Sequence, residues 1–308
     1  MSNIISVVGP TASGKTRLSI ALAKHFDGEV VSVDSMQIYR KMDIGTAKVT
    51  ASEMQGIPHH MIDCFEPTEN CNVQKFISMA RKAVDDITAR DKTCVLAGGT
   101  GLYVDHLIQD TQFVDIPADD QLRCKLNSLP QTELVTRLSK LDPQASKRLH
   151  PNDKKRIVRA LEVYMLTGKS ILHWEKLSHV GSRPLNAIMI GLYFSERSEL
   201  YERINQRVDQ MIQDGLEQEV RTLTKSEGFI SSTAAEAIGY KEMLRYFEGE
   251  MSFEAAVESI KQSTRRYAKR QTTWFKRNPA IHWIDITRDT NFESIRQQAI
   301  QIVERNLK

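Results

Sequence analysis

Hydrophobic residues in the first hundred positions form short runs separated by segments with helical spacing. Ile4 to Val8 is a compact, mostly apolar run, and it leads through a glycine-bounded loop into Thr16 to Phe26, where apolar residues recur at helical intervals. Val30 to Val33 and Thr93 to Ala97 are two further apolar runs. Val73 to Arg90, between them, carries its apolar residues on one helical face. Short strands connected by helices predict a parallel sheet, so we expect an α/β fold.

The pattern changes after about residue 118. From Ala118 to Pro184 helical spacing dominates, charged residues are dense and no strand is evident. We therefore expect residues 118–184 to form an inserted helical subdomain, with Asn152 and Gly168 at the two ends of one of its helices. Residues 1–117 and 185–308 would form the core. The elements predicted after the insertion are strands at Ala187 to Phe194 and Ile281 to Ile286, helices from about Glu196 to Arg277, and a terminal helix around Phe292 to Asn306.

Composition narrows the class of protein only slightly. The chain has 308 residues, of which 41% are hydrophobic and 26% charged, as in an ordinary globular protein, and its net charge of +3 does not by itself indicate a nucleic-acid partner. Its four cysteines have neither disulfide-framework nor zinc spacing, and the adjacent His59 and His60 do not suit one metal ion. With no signal peptide and no apolar stretch of membrane-spanning length, we expect a cytoplasmic protein.

The loop after the first strand carries the first chemical signal. It matches the pattern G-x-x-x-x-G-K-[ST] between a strand and a helix. Its glycines allow backbone N–H groups to face an anion, the helix N-terminus adds partial positive charge, and Lys15 adds a full charge. Thr16 is placed to bind Mg²⁺. The residues expected to hold a diphosphate or nucleotide are Gly9, Pro10, Thr11, Ala12, Ser13, Gly14, Lys15 and Thr16.

Small and polar residues follow the next two core strands. Asp34 and Ser35 come after the second strand, and Gly98 to Gly101 come after the third. In an open parallel sheet these strand ends meet at one edge, beside Lys15. Asp34 could bind magnesium, act as a general base, or merely cap a turn. The third strand end has no acidic residue of the kind a Walker-type ATPase carries there, which weakens the ATPase interpretation.

Two basic stretches stand out against the mild overall charge. Lys261 to Arg277 contains seven Lys or Arg residues, no acidic residue and interleaved aromatic residues, and Ser146 to Arg159 contains six basic residues against Asp153 alone. A single basic helix is usually a solvated face. Two such stretches with aromatic residues favour RNA binding.

Several segments together resemble the tRNA dimethylallyltransferases. They are GPTASGKT at Gly9 to Thr16, DSMQIY at Asp34 to Tyr39, MDIGTAK at Met42 to Lys48 and GGTGLY at Gly98 to Tyr103. The resemblance continues through HPND from His150, RALEV from Arg159, Gly239-Tyr240, and KRQ from Lys269 with Trp274. It covers nearly the whole chain. Because the zinc-finger extension of eukaryotic relatives is not seen, the chain is most similar to bacterial members.

The resemblance implies a P-loop NTPase-like parallel sheet and an Mg²⁺-dependent transfer. A dimethylallyl group would pass from dimethylallyl diphosphate to N6 of the adenosine 3′-adjacent to the anticodon. The partner would be the tRNA anticodon stem-loop, with no membrane involved, and we expect a monomer.

Site residues follow from the resemblance by position. Asp34 would accept the N6 proton, Thr100 would align the adenosine, and Arg207 would bind the diphosphate with Lys15, Ser13 and Thr16. The residues implied to contact tRNA are Asp34, Ser35, Met36, Gln37, Thr100, Arg123, Lys155, Arg156, Ile157, Val158 and Arg159. The basic stretch adds Arg265, Lys269 and Arg270 as further candidates for RNA contact.

Three alternatives remain open from the residues. A P-loop kinase of a small molecule would consume ATP and need no RNA. A prenyl transferase could act on a free adenine nucleotide, although the large basic insertion argues against it. A non-catalytic RNA-binding module would not need Asp34 and Thr100 at converging strand ends.

Overall fold

A six-stranded parallel sheet forms the centre of the protein. The structure is a computed structural model and describes residues 4–114 and 116–307. The strand order is β3-β2-β4-β1-β5-β6, and every pair of neighbouring strands runs parallel. The strands are β1 (Ile4–Val8), β2 (Gly28–Ser32), β3 (His59–His60), β4 (Thr93–Gly98), β5 (Ala187–Tyr193) and β6 (His282–Asp285).

Helices connect the strands and supply the second layer of packing. Val73–Ala89 buries a stripe of five apolar side chains, and Phe292–Asn306 buries Ile295, Ala299 and Val303 at intervals of four. The helices are α1 (Lys15–His25), α2 (Ala51–Met54), α3 (Val73–Ala89), α4 (Gly101–Ile108), α5 (Asp120–Asn127), α6 (Gln131–Leu141), α7 (Pro143–Arg148), α8 (Lys154–Thr167), α9 (Ile171–Leu177), α10 (Arg197–Gln213), α11 (Leu216–Leu223), α12 (Tyr240–Phe247), α13 (Phe253–Phe275) and α14 (Phe292–Asn306), with a short 3-10 helix at Ala234–Glu236.

The strand register places the site. Val8 at the end of β1 lies opposite Gly98 of β4 and Gly191 of β5. The loops that leave β1 and β4 therefore start at the same level, at the carboxyl edge of the sheet where open α/β proteins bind ligands. These strands are buried on both faces, which explains why they read as continuous apolar runs rather than alternating ones.

The chain divides into two compact units. The first comprises residues 4–108 and 185–307, and the second is an all-helical insertion, Gln109–Pro184. The insertion begins at Gln109 rather than at the expected Ala118. Gln112 N donates to Ser178 O at 2.7 Å, which ties this early segment to the end of the insertion.

The helical insertion has its own core. Leu126 of α5, Leu134 and Leu138 of α6, and Ile157 and Leu161 of α8 pack together in it. Helix α8 ends at Gly168, as expected, with a positive φ of 68°. Its N-cap is Asp153, whose carboxylate accepts the Arg156 amide, and not the neighbouring Asn152.

The parallel α/β fold expected from the sequence is confirmed. The apolar runs mark five of the strands to within two residues at either end. Strand β3 was not expected, because its two half-buried histidines carry no apolar pattern. Within the described residues, no helix combines the length and apolarity needed to cross a membrane.

Candidate active site

The loop between β1 and α1 is shaped to bind an anion. Ala12 and Gly14 both have positive φ, 62° and 86°, and Gly14 is the N-cap of α1 with no side chain capping the first turn. The first N–H groups of α1 therefore point out of the helix without a side-chain partner. The Ser13 hydroxyl is buried and has no hydrogen-bond partner in the described structure. A phosphate group would satisfy these donors together.

Two cationic side chains share this site. Lys15 Nζ donates to Pro10 O at 2.7 Å inside the loop. Burial, and then the charge of Arg207 on α10, lower the pKa of Lys15 to about 7, while Asp34 acts in the opposite direction. Burial also lowers the pKa of Arg207, although a guanidinium stays protonated. Neither side chain forms an ion pair with a carboxylate of the described residues. Two desolvated cations held close together in this way are an arrangement that a diphosphate stabilises.

Asp34 lies at the end of β2 and faces the same space. Its Oδ1 accepts the amides of Met36 at 2.8 Å and Gln37 at 3.3 Å, so the side chain does cap a turn. Within the described part of the chain, Oδ2 accepts no hydrogen bond. The turn therefore holds the carboxylate in place and leaves one oxygen for chemistry.

Helix α13 closes the site from the other side through one glutamine. Gln271 Oε1 accepts the Thr11 amide at 2.8 Å, and Gln271 Nε2 donates to Gly99 O at 2.9 Å. A Cβ at Gly99 would collide with the Gln271 amide, and one at Gly101 would collide with the Trp274 ring. The glycines after β4 are therefore required by the close approach of α13. Trp274 Nε1 is held by Asp105 Oδ2 at 2.8 Å.

Tyr267 lines two of the cavities with Asp34, and Thr100 lies next to Tyr267. The Thr100 hydroxyl is buried and unpartnered in the described structure, and Thr100 O accepts the Tyr103 and Val104 amides in the first turn of α4. Burial, followed by the charge of Asp34, raises the pKa of Tyr267 to about 12, while nearby Thr100 and Gln271 act in the opposite direction. The Tyr267 hydroxyl thus remains a hydrogen-bond donor at neutral pH.

Three cavities meet around these residues. A small one of about 90 Å³ contains Lys15, Asp34, Arg207 and Tyr267 in its wall. A larger one of about 1080 Å³ extends from Lys15 and Thr16 outward. A third of about 300 Å³ is lined by Asp34, Ser35, Met36, Arg207, Tyr267 and Arg270, together with apolar side chains. Arg207 borders all three, so an anion bound at Lys15 and a group in the third cavity would meet at Asp34 and Arg207.

The oxygen donors at this site fit Mg²⁺. The Thr16 hydroxyl lines two of the cavities, and Asp34 lines the smaller of them. The described residues contain no group of three or more His, Cys, Asp or Glu side chains that could hold a metal by themselves. Mg²⁺ typically takes one or two protein oxygens and completes its shell with phosphate and water, so this sparse donor set suits it when a diphosphate is bound.

Residues implied to contact tRNA in the helical insertion separate into two groups. Lys155 and Arg156 are exposed. Ile157 and Val158 are 1% and 5% exposed and pack in the core of the insertion, so their side chains do not offer an RNA surface. Apolar residues at these positions of α8 face inward, so contact of Ile157 and Val158 with tRNA stays a prediction that their side chains do not support.

Arg123 and Arg159 bind a buried carboxylate. Glu162 is fully buried, and its oxygens lie 2.8 Å from Arg123 Nε and 2.6 Å from Arg159 NH1. Burial opposes ionisation of Glu162, but hydrogen bonds from Arg159, the Asp119 amide and Arg123 outweigh it and lower its pKa. Both arginines are about one third exposed. They join α5 to α8 and present only part of each guanidinium to solvent.

The three residues of α13 predicted to contact RNA differ in exposure and in their partners. Arg265 donates to Asn205 Oδ1 at 2.7 Å and Glu258 Oε1 at 2.8 Å, and is half-buried. Lys269 and Arg270 are exposed and form no ion pair among the described residues. Lys269 and Arg270 are therefore the better candidates for contact with RNA phosphates.

Sequence reasoning did not select Tyr267, Gln271 and His59 as site residues. Tyr267, Gln271 and Trp274 are spaced i, i+4 and i+7 on α13, a helical stripe that could have indicated one shared face. His59 lines the small cavity, with Nδ1 2.8 Å from Ile57 O and a buried Nε2 without a partner in the described structure. His60 instead pairs with Glu29 at 2.7 Å, so the two histidines do not share a ligand.

Fold and site together define a P-loop α/β protein whose anion site opens onto a carboxylate. A family model described as IPP transferase matches residues 37–278, which is most of the chain. The chain belongs to the IPP transferase family.

Relatives and solved structures agree with this assignment. A tRNA dimethylallyltransferase of Caldanaerobacter subterraneus is 46% identical over 99% of this chain and 98% of that protein. One from Anoxybacillus flavithermus is 45% identical over 98% and 96%. The full-length tRNA isopentenylpyrophosphate transferase of Bacillus halodurans has a TM-score of 0.76 at 43% identity, covering 100% of this chain and 97% of that one. A eukaryotic dimethylallyltransferase acting on tRNA has a TM-score of 0.80 at 30% identity, covering 99% and 79%.

Proposed function

We propose that this protein transfers a dimethylallyl group from dimethylallyl diphosphate to N6 of the adenosine 3′-adjacent to the anticodon in tRNA. The observation that supports this proposal is the wall of the small cavity, where Lys15 and Arg207 line the same space as Asp34. Two cations suit a departing diphosphate and one carboxylate suits an amine that must lose a proton. The relatives are named as transferases of a dimethylallyl group to tRNA or as tRNA isopentenylpyrophosphate transferases, and these names indicate a prenyl diphosphate and tRNA as the two substrates.

The donor side stabilises the leaving group. As the bond from C1 of the dimethylallyl group to oxygen breaks, its electron pair passes to the diphosphate. The first N–H groups of α1, together with Lys15 and Arg207 in the cavity wall, would stabilise that charge. Thr16 would hold Mg²⁺, which when bound would help to neutralise the negative charge that develops on the diphosphate. The Ser13 hydroxyl would donate to one of them.

The acceptor side prepares a poor nucleophile. The lone pair of the adenine amine is delocalised into the ring, so positioning and proton removal both contribute to the rate. The N6 nitrogen forms the new bond to C1, and its proton passes to Asp34. Tyr267 lines the same cavities as the carboxylate, and its hydroxyl can orient the base, with Thr100 next to it.

An adenosine within a folded RNA must leave its stack to reach this cavity. Unstacking costs a few kcal/mol, which contacts to the RNA backbone and neighbouring bases offset. Lys155, Arg156, Lys269 and Arg270 are exposed cations that can provide such contacts. Ser35 and Met36 line the third cavity beside Asp34 and can contact the flipped nucleotide. We also propose that the enzyme is cytoplasmic and monomeric.

One assay separates this function from its rivals. The purified protein is offered unmodified tRNA, free AMP or ATP, each with dimethylallyl diphosphate and Mg²⁺, and the products are analysed by mass spectrometry. We expect the prenyl mass on tRNA alone. Prenylated AMP or ATP would indicate a nucleotide prenyl transferase, ATP consumption without RNA would indicate a kinase, and tRNA binding without product would indicate a binding module.

A further inference from the structure

The segment Met42–Lys48 borders all three cavities but has no regular secondary structure. Thr46 lines the small and third cavities, Gly45 lines the third, and Asp43 lines the largest. The segment is a series of turns between β2 and α2. Its own turns supply two backbone hydrogen bonds, from Ala47 N to Ile44 O and from Lys48 N to Asp43 O, at 2.9 Å each. The amides of Asp43, Ile44 and Gly45 find their partner elsewhere in the fold.

One carboxylate holds three consecutive amides of this segment. Glu219 Oε2 accepts from Asp43 N and Ile44 N at 2.8 Å each, and Oε1 accepts from Gly45 N at 3.1 Å. Glu219 is on α11, far from the segment in sequence. Adjacent backbone N–H groups that converge on one anion form a strong and directional site, because every hydrogen bond is charge-assisted.

Tyr240 completes this anchor from α12. Its hydroxyl donates to Glu219 Oε1 at 2.6 Å. Burial, and then the charge of Glu219, raise the pKa of Tyr240 above its ordinary value, so the hydroxyl remains a donor. Its ring packs against Gly45, where a Cβ would collide with it. This contact explains why glycine occupies position 45.

Gln37 and Lys48 hold the segment at other points. Gln37 Nε2 donates to Thr46 O at 3.3 Å and Ala47 O at 3.2 Å. Buried Lys48 donates to Asp43 Oδ1 at 2.6 Å and Tyr39 O at 2.7 Å. Without the Glu219 anchor the amides of Asp43, Ile44 and Gly45 would lose their partner, and the cavity wall at Gly45 would be free to move.

We propose that Glu219 and Tyr240 are positioning residues for prenyl transfer, acting through the shape of Met42–Lys48. This inference rests on the proposed function. Because the segment borders both the diphosphate side and the third cavity, a loosened segment would misplace both substrates. A misplacement of about 1 Å can cost on the order of 100-fold in rate.

The test combines kinetics with amide exchange in Glu219→Gln and Tyr240→Phe. Glu219→Gln keeps the side-chain shape but replaces an acceptor oxygen with a donor, so kcat should fall about 10-fold to 100-fold and the KM of both substrates should rise. Tyr240→Phe keeps the ring on Gly45 and removes one of four donors, so a drop in kcat of about threefold is expected. Amide exchange at residues 43–45 should accelerate in both, while β1 stays protected.

Glu217→Gln is the matched control. Glu217 lies on the same helix but pairs with Arg221 at the surface, so it should change neither kinetics nor exchange. If exchange at residues 43–45 is faster but kcat and both KM values stay within twofold of wild type, Glu219 and Tyr240 hold the segment without positioning the substrates, and the proposal is wrong. Unchanged exchange would mean that the carboxylate does not hold the segment. A wild-type chain inactive on tRNA would instead overturn the proposed function.

Discussion

At the residue scale, the site depends on charged groups whose environment is set by their neighbours. Lys15 is a strong cation in water, but here burial and Arg207 bring its pKa to about 7. Asp34 has one oxygen engaged by the turn amides and the other directed to no described partner. Lys15 is therefore suited to bind an anionic ligand, and Asp34 is suited to accept a proton from one.

Asp34→Asn should separate chemistry from binding. Asparagine retains an oxygen for the Met36 amide, so the turn should persist, but it cannot accept the N6 proton. We expect the single-turnover rate to fall at least about 100-fold while the tRNA Kd changes by less than about twofold. Asp86→Asn, on the exposed face of α3, should leave both unchanged. Equal losses of rate and tRNA affinity would argue against Asp34 as the base.

Donor affinity should decline as pH rises above 7. In the free protein Lys15 loses its proton near pH 7, whereas a bound diphosphate favours the charged form and raises that pKa. Binding then takes up a proton, and affinity should fall up to about tenfold per pH unit between pH 7 and 9. Calorimetric titration of diphosphate in buffers of different ionisation enthalpy measures both effects. A flat profile without proton uptake would show that Lys15 is fully protonated throughout.

At the element scale, α13 has two functions on two faces. Its inner face carries Tyr267, Gln271 and Trp274 against the loops of the site. Its outer face carries exposed Lys269, whereas exposed Arg270 lines the third cavity beside Tyr267. The same helix thus closes the anion site and presents charge to solvent, so loss of an outer cation need not disturb the inner face.

Removal of an unpaired cation from α13 should flatten the salt dependence of tRNA binding. Lys269→Ala and Arg270→Ala should each reduce the magnitude of the slope of log K for tRNA binding against log salt concentration by about one. Each variant neutralises one phosphate fewer, so fewer counterions leave the tRNA on binding. Arg265→Ala should change the slope less, because Arg265 already pairs with Glu258. Lys82→Ala, an exposed cation on α3, serves as a control. Unchanged slopes for Lys269 and Arg270 would assign them to an ordinary solvated face.

At the scale of the whole molecule, the helical insertion is a separate unit with its own core. Leu185 N donates to Ile108 O at 2.7 Å, so the two points where the insertion leaves and re-enters the first unit are adjacent. A domain inserted between adjacent ends can be removed without stretching the chain.

Replacement of residues 109–184 by a short Gly-Ser linker should therefore leave a folded first unit. Diphosphate affinity should stay within about twofold, since Lys15 and Arg207 are retained. Affinity for tRNA should fall at least about tenfold, because Lys155 and Arg156 are lost. Thermal unfolding and the two binding titrations measure these outcomes. Loss of cooperative unfolding would show that the two units depend on each other for stability.

The sequence alone determined the elements and the chemistry of the phosphate loop, because both are local. Apolar runs mark strands through burial, and the pattern from Gly9 to Thr16 specifies its own backbone shape. Only the tertiary structure decided which distant residues meet there. Gln271 joins Thr11 to Gly99, and Glu219 binds three amides of one turn. Such contacts depend on how helices pack across long separations in sequence, and no local pattern records that packing.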